Sequence, residues 1–417
     1  MIAYAAVDDT GYFRVEINDC EPKEIYSYLG IYKCYIYLVP GKHYRIILPK
    51  KIEKTMQDKL NPFFEPVELP FGIYPNHEGV NRQIAEFDFK YAPFFRSLSA
   101  NVRPVRKNPL LDSALNVLSA MVDTIKDEYV KEYCNYRIGY LMAIGMVQKS
   151  RVVAGTYFEN KPVLYNNTAY WQLFNFLYAK FFVYMGRGKV TKKIFEDINT
   201  YKSFDSLQLT LAGINDLKSD TLRELVILKN LHDEFYSTNF SRSGILAVLD
   251  TLITRTKLPL HKQYALQIRS KITRLMPDYA PPSFALYDIA GKRHELADFK
   301  GKYVYLNFCS CNSYACFKEY DLLKKLSERF AGKITIISVI ADGSVEDLAN
   351  FVKKSDYRWL FLHYGNQPEV IKQYDIRGFP VYYLIGPDGK LILSPAKGPT
   401  ENIELELFKI MRSRGDL

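Results

Sequence analysis

Along the 417 residues the spacing of apolar and polar positions changes twice. Over roughly the first eighty residues the period is two, with alternation over 12–17, again over 32–39, and again over 43–48 beyond Pro40-Gly41. Alternation places every second side chain on one face of an extended chain, so these runs predict strands, the second and third joined as a hairpin. The opening residues alternate too and run into a turn at Asp8-Asp9-Thr10-Gly11. The chain is therefore expected to begin inside a folded unit, its first strand and any export segment lying upstream. The segment 61–75 carries four prolines and no clear period, which predicts a linker over the surface.

From about Tyr91 to Pro277 the spacing becomes three and four. Leu111, Leu115, Leu118, Val122 and Ile125 fall on one helical face, as do Leu222, Leu225, Leu228, Leu231 and Phe235, and Tyr264, Ile268, Ile272 and Leu275. The run 170–178 is apolar almost all round, the mark of a buried helix, and Pro277 stops the last helix. Beyond Asp278, strands at 303–308, 333–340, 381–385 and 390–393 alternate with helices at 317–330, 345–354, 367–374 and 401–411. These patterns predict three domains: a small β domain (1–85) lacking its first strand, a helical domain (86–277) and an α/β domain (278–417).

Composition changes this picture little. Apolar residues at 48% and charged residues at 24% fit an ordinary globular chain, and 33 Tyr with 26 Phe supply large amphipathic rings for its cores. The net charge of +10 comes from 56 basic residues interspersed with 46 acidic ones, which describes a solvated surface and argues against a nucleic-acid partner. No run approaches the roughly 20 apolar residues of a membrane span. The first residues also lack the basic and apolar segments of a signal peptide, so the sequence taken literally reads as cytoplasmic.

Cysteine usage adds the chemistry. Cys34 lies in a strand pattern and Cys134 in a helix pattern, where each is expected to be a small buried hydrophobe. Cys309, Cys311 and Cys316 instead crowd into eight residues of the stretch NFCSCNSYACFKEY. Three thiols in Cys-x-Cys-x4-Cys spacing suit a soft ion such as Cu(I), but no histidine joins them, and no metal or cofactor is assigned.

An ordered set of motifs runs through this last domain. Ala280-Pro281, Phe284-Ala285-Leu286, Asp288, Gly291-Lys292 and the stretch from Leu296 to Lys302 lead to Leu306-Asn307-Phe308; Lys318-Glu319 follows the cysteines, and Ile376-Arg377-Gly378-Phe379-Pro380 comes later. In these features the domain resembles the periplasmic TlpA-like thiol-disulfide oxidoreductases, which implies a thioredoxin fold with a cis-proline at Pro380. More weakly, Asp9, Gly11-Tyr12-Phe13 and Val39-Pro40-Gly41 resemble the small β domain that precedes such domains in some Gram-negative envelope proteins. That resemblance implies the periplasm or cell envelope, although the export signal of those relatives is not in this sequence.

After Asn-Phe the family has eight residues ending in Cys-x-x-Cys, and the basic-Glu exit follows. Here the eight are Cys309, Ser310, Cys311, Asn312, Ser313, Tyr314, Ala315 and Cys316, so the second family cysteine falls on Cys316 and the first on Ser313. The resemblance gives the first cysteine the attack on a client disulfide and the second the resolution of the mixed disulfide. A serine hydroxyl neither ionises nor forms that mixed disulfide, but it can cap the helix that starts there.

Cys316 then has two readings, an inert half-buried thiol or a reactive one whose partner is Cys311 on the strand-to-helix loop. Bridging those two requires Cα atoms within about 7 Å. Tyr314, Phe317, Gly378, Phe379 and Pro380 are the residues expected to form an apolar groove for an extended peptide or protein client. The leading expectation is a client-binding or attenuated redox module; the rival is an active thiol-disulfide oxidoreductase using Cys316 with Cys311 or an external thiol.

Overall fold

A computed structural model describes residues 5–18, 20–55, 58, 64–74, 79–100, 109–145, 150–184, 188–310, 313–341, 343–365 and 367–416. Its residues fall into two compact units, one within 1–54 and 65–266, the other within 55–64 and 267–417.

In the first unit, β1 (Lys23–Leu29) and β2 (Tyr32–Leu38) form an antiparallel hairpin. Gly30 sits at the turn with φ +60°, and a Cβ there would meet the Ile52 carbonyl oxygen at 1.7 Å, so both the backbone and the close approach require glycine. The second edge of β2 is taken in parallel by β4 (Val67–Pro70). The hairpin expected between 32–39 and 43–48 therefore does not form, because β2 already has a partner on each side. Pro40-Gly41 does turn the chain, Lys42 N–H donating to the Val39 carbonyl, but β3 (Arg45–Ile47) goes on to pair with β5 (Gly72–Tyr74).

Two further expectations fail here. The supposed linker 61–75 contains both β4 and β5; Pro70 is tolerated because β4 lies at a sheet edge, where a missing N–H costs no ladder bond. The alternating run 12–17 forms no strand, and Tyr12 is 63% exposed, so its pattern has no core to face. The expected opening strand falls partly on residues 1–4, outside the described residues. Cys34 is buried with Ile36 and Phe71 in the sheet's core.

Helices complete the unit: α1 (Val80–Ala100), α2 (Pro109–Val122), α3 (Glu128–Gly145), α4 (Ser150–Phe158), α5 (Thr168–Leu177), α6 (Phe181–Tyr184), α7 (Lys189–Asn199), α8 (Phe204–Ala212), α9 (Asp220–Glu234), α10 (Arg242–Arg255) and α11 (Pro259–Thr273), the last running past Leu266 into the second unit. The faces read from spacing are the buried ones, Leu111, Leu118 and Val122 on α2 and Leu222, Leu225, Leu228 and Leu231 on α9. The aromatic run of α5 is core as expected, Tyr170, Leu173 and Phe174 each being at most 2% exposed. Asn81 of α1 ties the helices to the sheet, its Oδ1 accepting the Tyr37 N–H at 2.9 Å and its Nδ2 donating to the Tyr37 carbonyl at 2.7 Å.

The second unit is built on one sheet. Its strands are β6 (Ala285–Asp288), β7 (Arg293–Glu295), β8 (Tyr303–Cys309), β9 (Ile334–Ile340), β10 (Leu360–His363), β11 (Val381–Ile385) and β12 (Leu391–Ala396), in the order β12-β11-β8-β9-β10-β6-β7. β8, β9 and β10 run parallel, and the outer pairs are antiparallel. Helices α12 (Tyr314–Arg329), α13 (Val345–Lys354), α14 (Pro368–Gln373) and α15 (Ile403–Arg414) complete the unit. Cys316, Leu348 and Leu407 from α12, α13 and α15 enter one core cluster, while Val370 of α14 enters the other with Val304, Leu306 and Phe308. This is the thioredoxin-like α/β arrangement the sequence implied.

Candidate functional site

Strand β8 sets the site. All seven of its residues are buried, as expected for a central strand covered on both faces. Side chains alternate along it, so Tyr303, Tyr305 and Cys309 join one cluster while Val304, Leu306 and Phe308 join the other. On α12 the matching residues are Cys316, Tyr320 and Leu323, spaced four and three apart. Strand period and helix period thus bring Cys309 and Cys316 to one place in the core, each 0% exposed.

Both residues are free thiols in one core cluster, each near enough to shift the other's ionisation. The Cys309 thiol donates to Asn307 Oδ1 at 3.2 Å. Donation from Cys309 brings the Cys316 thiol down to about 7; burial opposes this, and the Ser310 backbone and Ser313 hydroxyl add to it. Burial pushes Cys309 the other way, well above the usual thiol range, and its neighbour Cys316 adds to the rise. Cys316 is thus fully buried instead of half-buried, and contact with a second thiol outweighs the apolar surroundings.

Ser313 caps α12. Its Oγ accepts the Cys316 N–H at 3.5 Å, and its carbonyl accepts the Phe317 N–H at 3.2 Å. On the same turn Tyr314 is 77% exposed and Phe317 37%, the Phe317 ring resting 5.5 Å from that of Phe351. The Phe379–Pro380 peptide bond is cis, and the register Val381↔Phe308 sets this corner beside the end of β8 where α12 begins. Gly378 is exposed there, and Phe379 and Pro380 are half-buried. Cys311 and Asn312 lie outside the described residues, so the Cys311–Cys316 pairing has no geometry here. Among the described residues no group of three or more His, Cys, Asp or Glu is arranged to hold a metal ion, and no helix is long and apolar enough to cross a membrane.

The sequence offers Cys309 only as one of three thiols suited to a soft ion; the signal for its place in the core is the parity of β8, which puts positions 305 and 309 on one face. Glu319 was read only as the end of the loop. Its carboxylate accepts hydrogen bonds from the Tyr382 and Thr400 hydroxyls, and its charge opposes ionisation of Cys316.

Residues 277–394 match the AhpC/TSA family. The thiol-disulfide oxidoreductase ResA of Bacillus thuringiensis subsp. konkukian is 36% identical over 129 residues, covering 30% of this chain and 73% of that protein. ResA of Bacillus subtilis is 32% identical over 132 residues, 31% of this chain and 73% of the relative. Among solved structures, the thioredoxin domain of a thiol-disulfide oxidoreductase from Bacteroides vulgatus is 28% identical and aligns with 32% of this chain and 98% of its own, with a TM-score of 0.30.

Proposed function

Since the chain belongs, through its C-terminal unit, to the ResA/TlpA-like thiol-disulfide oxidoreductases of thioredoxin fold, we propose that it serves at the cell envelope as a client-binding member with attenuated redox chemistry. The observation that carries this reading is Ser313. The helix start that would present a nucleophilic thiol presents an alcohol engaged with the Cys316 amide, and Cys316 has no exposed surface. Oxygen at that position cannot form the mixed disulfide through which exchange proceeds. The surface on which this reading seats a client has Tyr314 and Phe317 on the first turn of α12 and Phe379 and Pro380 at the adjoining corner. An extended peptide laid there would contact aromatic side chains on one flank and backbone on the other.

The test pairs two measurements on the full chain. In an insulin-reduction assay the protein is expected to stay near the uncatalysed rate. A fluorescent extended peptide is expected to bind saturably, and Tyr314→Ala combined with Phe317→Ala to weaken binding roughly tenfold, the loss of two aromatic contacts. Peptide binding indifferent to those substitutions overturns the reading.

The value of about 7 for Cys316 favours a second reading, since such a thiol is about half ionised at neutrality where an ordinary thiol is almost wholly protonated. On that reading the protein is an active oxidoreductase in which Cys316 works with Cys311 or an external thiol. Insulin turnover well above background and abolished by Cys316→Ala would select it.

A further inference from the structure

The client-facing position of the α12 start carries no sulfur, yet two sulfurs meet directly beneath it. Cys309 closes β8 and Cys316 sits one turn into α12; both are 0% exposed and share one core cluster with Tyr305, Tyr320 and Tyr382. Burying two thiols side by side is not required by packing, for an aliphatic residue fills such a site without a polar group to satisfy. Their spacing is also unlike Cys-x-x-Cys, with six residues between them where the family motif has two.

We propose that Cys309 and Cys316 form an internal redox couple that closes to a disulfide and exchanges with low-molecular-weight thiols and disulfides. Cys309 at the end of β8 and Cys316 on the first turn of α12 are both buried in one core cluster, so closing the bridge calls for a side-chain shift that brings the sulfurs to the S–S length of about 2.05 Å. Their complete burial selects the reagent class. A disulfide held in a folded protein cannot be brought against either sulfur without displacing the start of α12, whereas a small disulfide needs a much narrower opening.

The steps balance as ordinary thiol-disulfide exchange. The Cys316 thiolate attacks one sulfur of a small disulfide RSSR, forming a Cys316–S–S–R bond and releasing RS⁻, which takes a proton from solvent. Cys309 then gives up its proton, and its sulfur attacks the Cys316 sulfur, closing Cys309–Cys316 and releasing the second RS⁻ to be protonated in turn. The protein dithiol is oxidised by two electrons, and RSSR is reduced to two RSH. Cys316 thereby takes the attacking role, although its counterpart in the family resolves, and the bridge ties the strand end to the turn that bears Tyr314 and Phe317.

The experiment equilibrates the full chain in glutathione buffers of rising disulfide-to-thiol ratio, approached from the reduced and the oxidised side. Intact mass and thiol titration after unfolding then separate a loss of two hydrogens from a glutathione adduct, including one on exposed Cys20. Wild type and Cys311→Ser are expected to lose two thiols together as an internal disulfide, while Cys309→Ser and Cys316→Ser form none. Trp359, whose ring lies 6.0 Å from that of Tyr320, gives a fluorescence change in the same transition for the first two only. Cys309→Ala serves if the serine variant fails to melt cooperatively. An internal disulfide that persists in the Cys309 variants and vanishes in Cys311→Ser overturns the proposal, as does no internal disulfide in wild type at any ratio. Thiol counts are independent of peptide binding, so failure here leaves the client-binding reading standing, and failure of that reading leaves the couple standing.

Discussion

The Oγ of Ser313 accepts the amide N–H of Cys316 across the first turn of α12. Ser313 thus keeps the helix start in order, and its hydroxyl is one of the groups that lower the Cys316 thiol. Ser313→Cys restores a thiol where unpaired backbone N–H groups and the helix dipole favour its ionised form. Insulin reduction by this variant is expected to exceed wild type by roughly tenfold or more. Ser313→Ala removes the cap together with the hydroxyl's share in lowering Cys316, and is expected to cost about 1 kcal/mol in urea unfolding.

The buried thiol pair predicts a stability profile with pH. Cys316 titrates near 7 in the folded protein against an ordinary value of 9.0. Between these values the unfolded chain holds a proton that the folded one has lost, so stability rises with pH, by at most about 1.4 kcal/mol per unit. The contribution is lost as pH falls through about 7. Cys309 is raised, so above 9.0 the folded chain holds the extra proton and the trend reverses. Urea midpoints of the reduced protein are expected to climb from pH 7 toward 9, and Cys316→Ser to remove the climb.

Glu319 places a carboxylate near Cys316 that opposes formation of its thiolate. Glu319→Gln keeps the shape and removes the charge. The thiolate absorbance near 240 nm in Cys311→Ser background is expected to titrate at lower pH than with Glu319 in place. No downward movement would show that the carboxylate is too well screened to act on the sulfur.

Within the helical region, His261 is 0% exposed and lies between Glu224 Oε2 at 2.9 Å and the Tyr165 hydroxyl at 2.8 Å. His261→Ala empties a buried volume and leaves two polar groups short of a partner, at an expected cost of about 3 kcal/mol in urea unfolding. Thiol chemistry in the second unit is expected to be unaffected.

Much of this protein was decided locally and could be read in order. The apolar run of β8, the three-and-four spacing of α2 and α9 and the Ser313 cap each depend on near neighbours in the chain, so period and side-chain chemistry suffice to place them. The serine at 313 and the cysteine three residues on are likewise written in the sequence. Tertiary structure decided what depends on distant partners. Whether 32–39 pairs with 43–48 depended on β1 and β4 taking both edges of β2, and whether 12–17 becomes a strand depended on a core surface for it to face. The same holds at the site. Cys309 and Cys316 share one core cluster because a strand with a period of two and a helix with a period of 3.6 are packed face to face, a coincidence of phase that exists only once both elements are folded together.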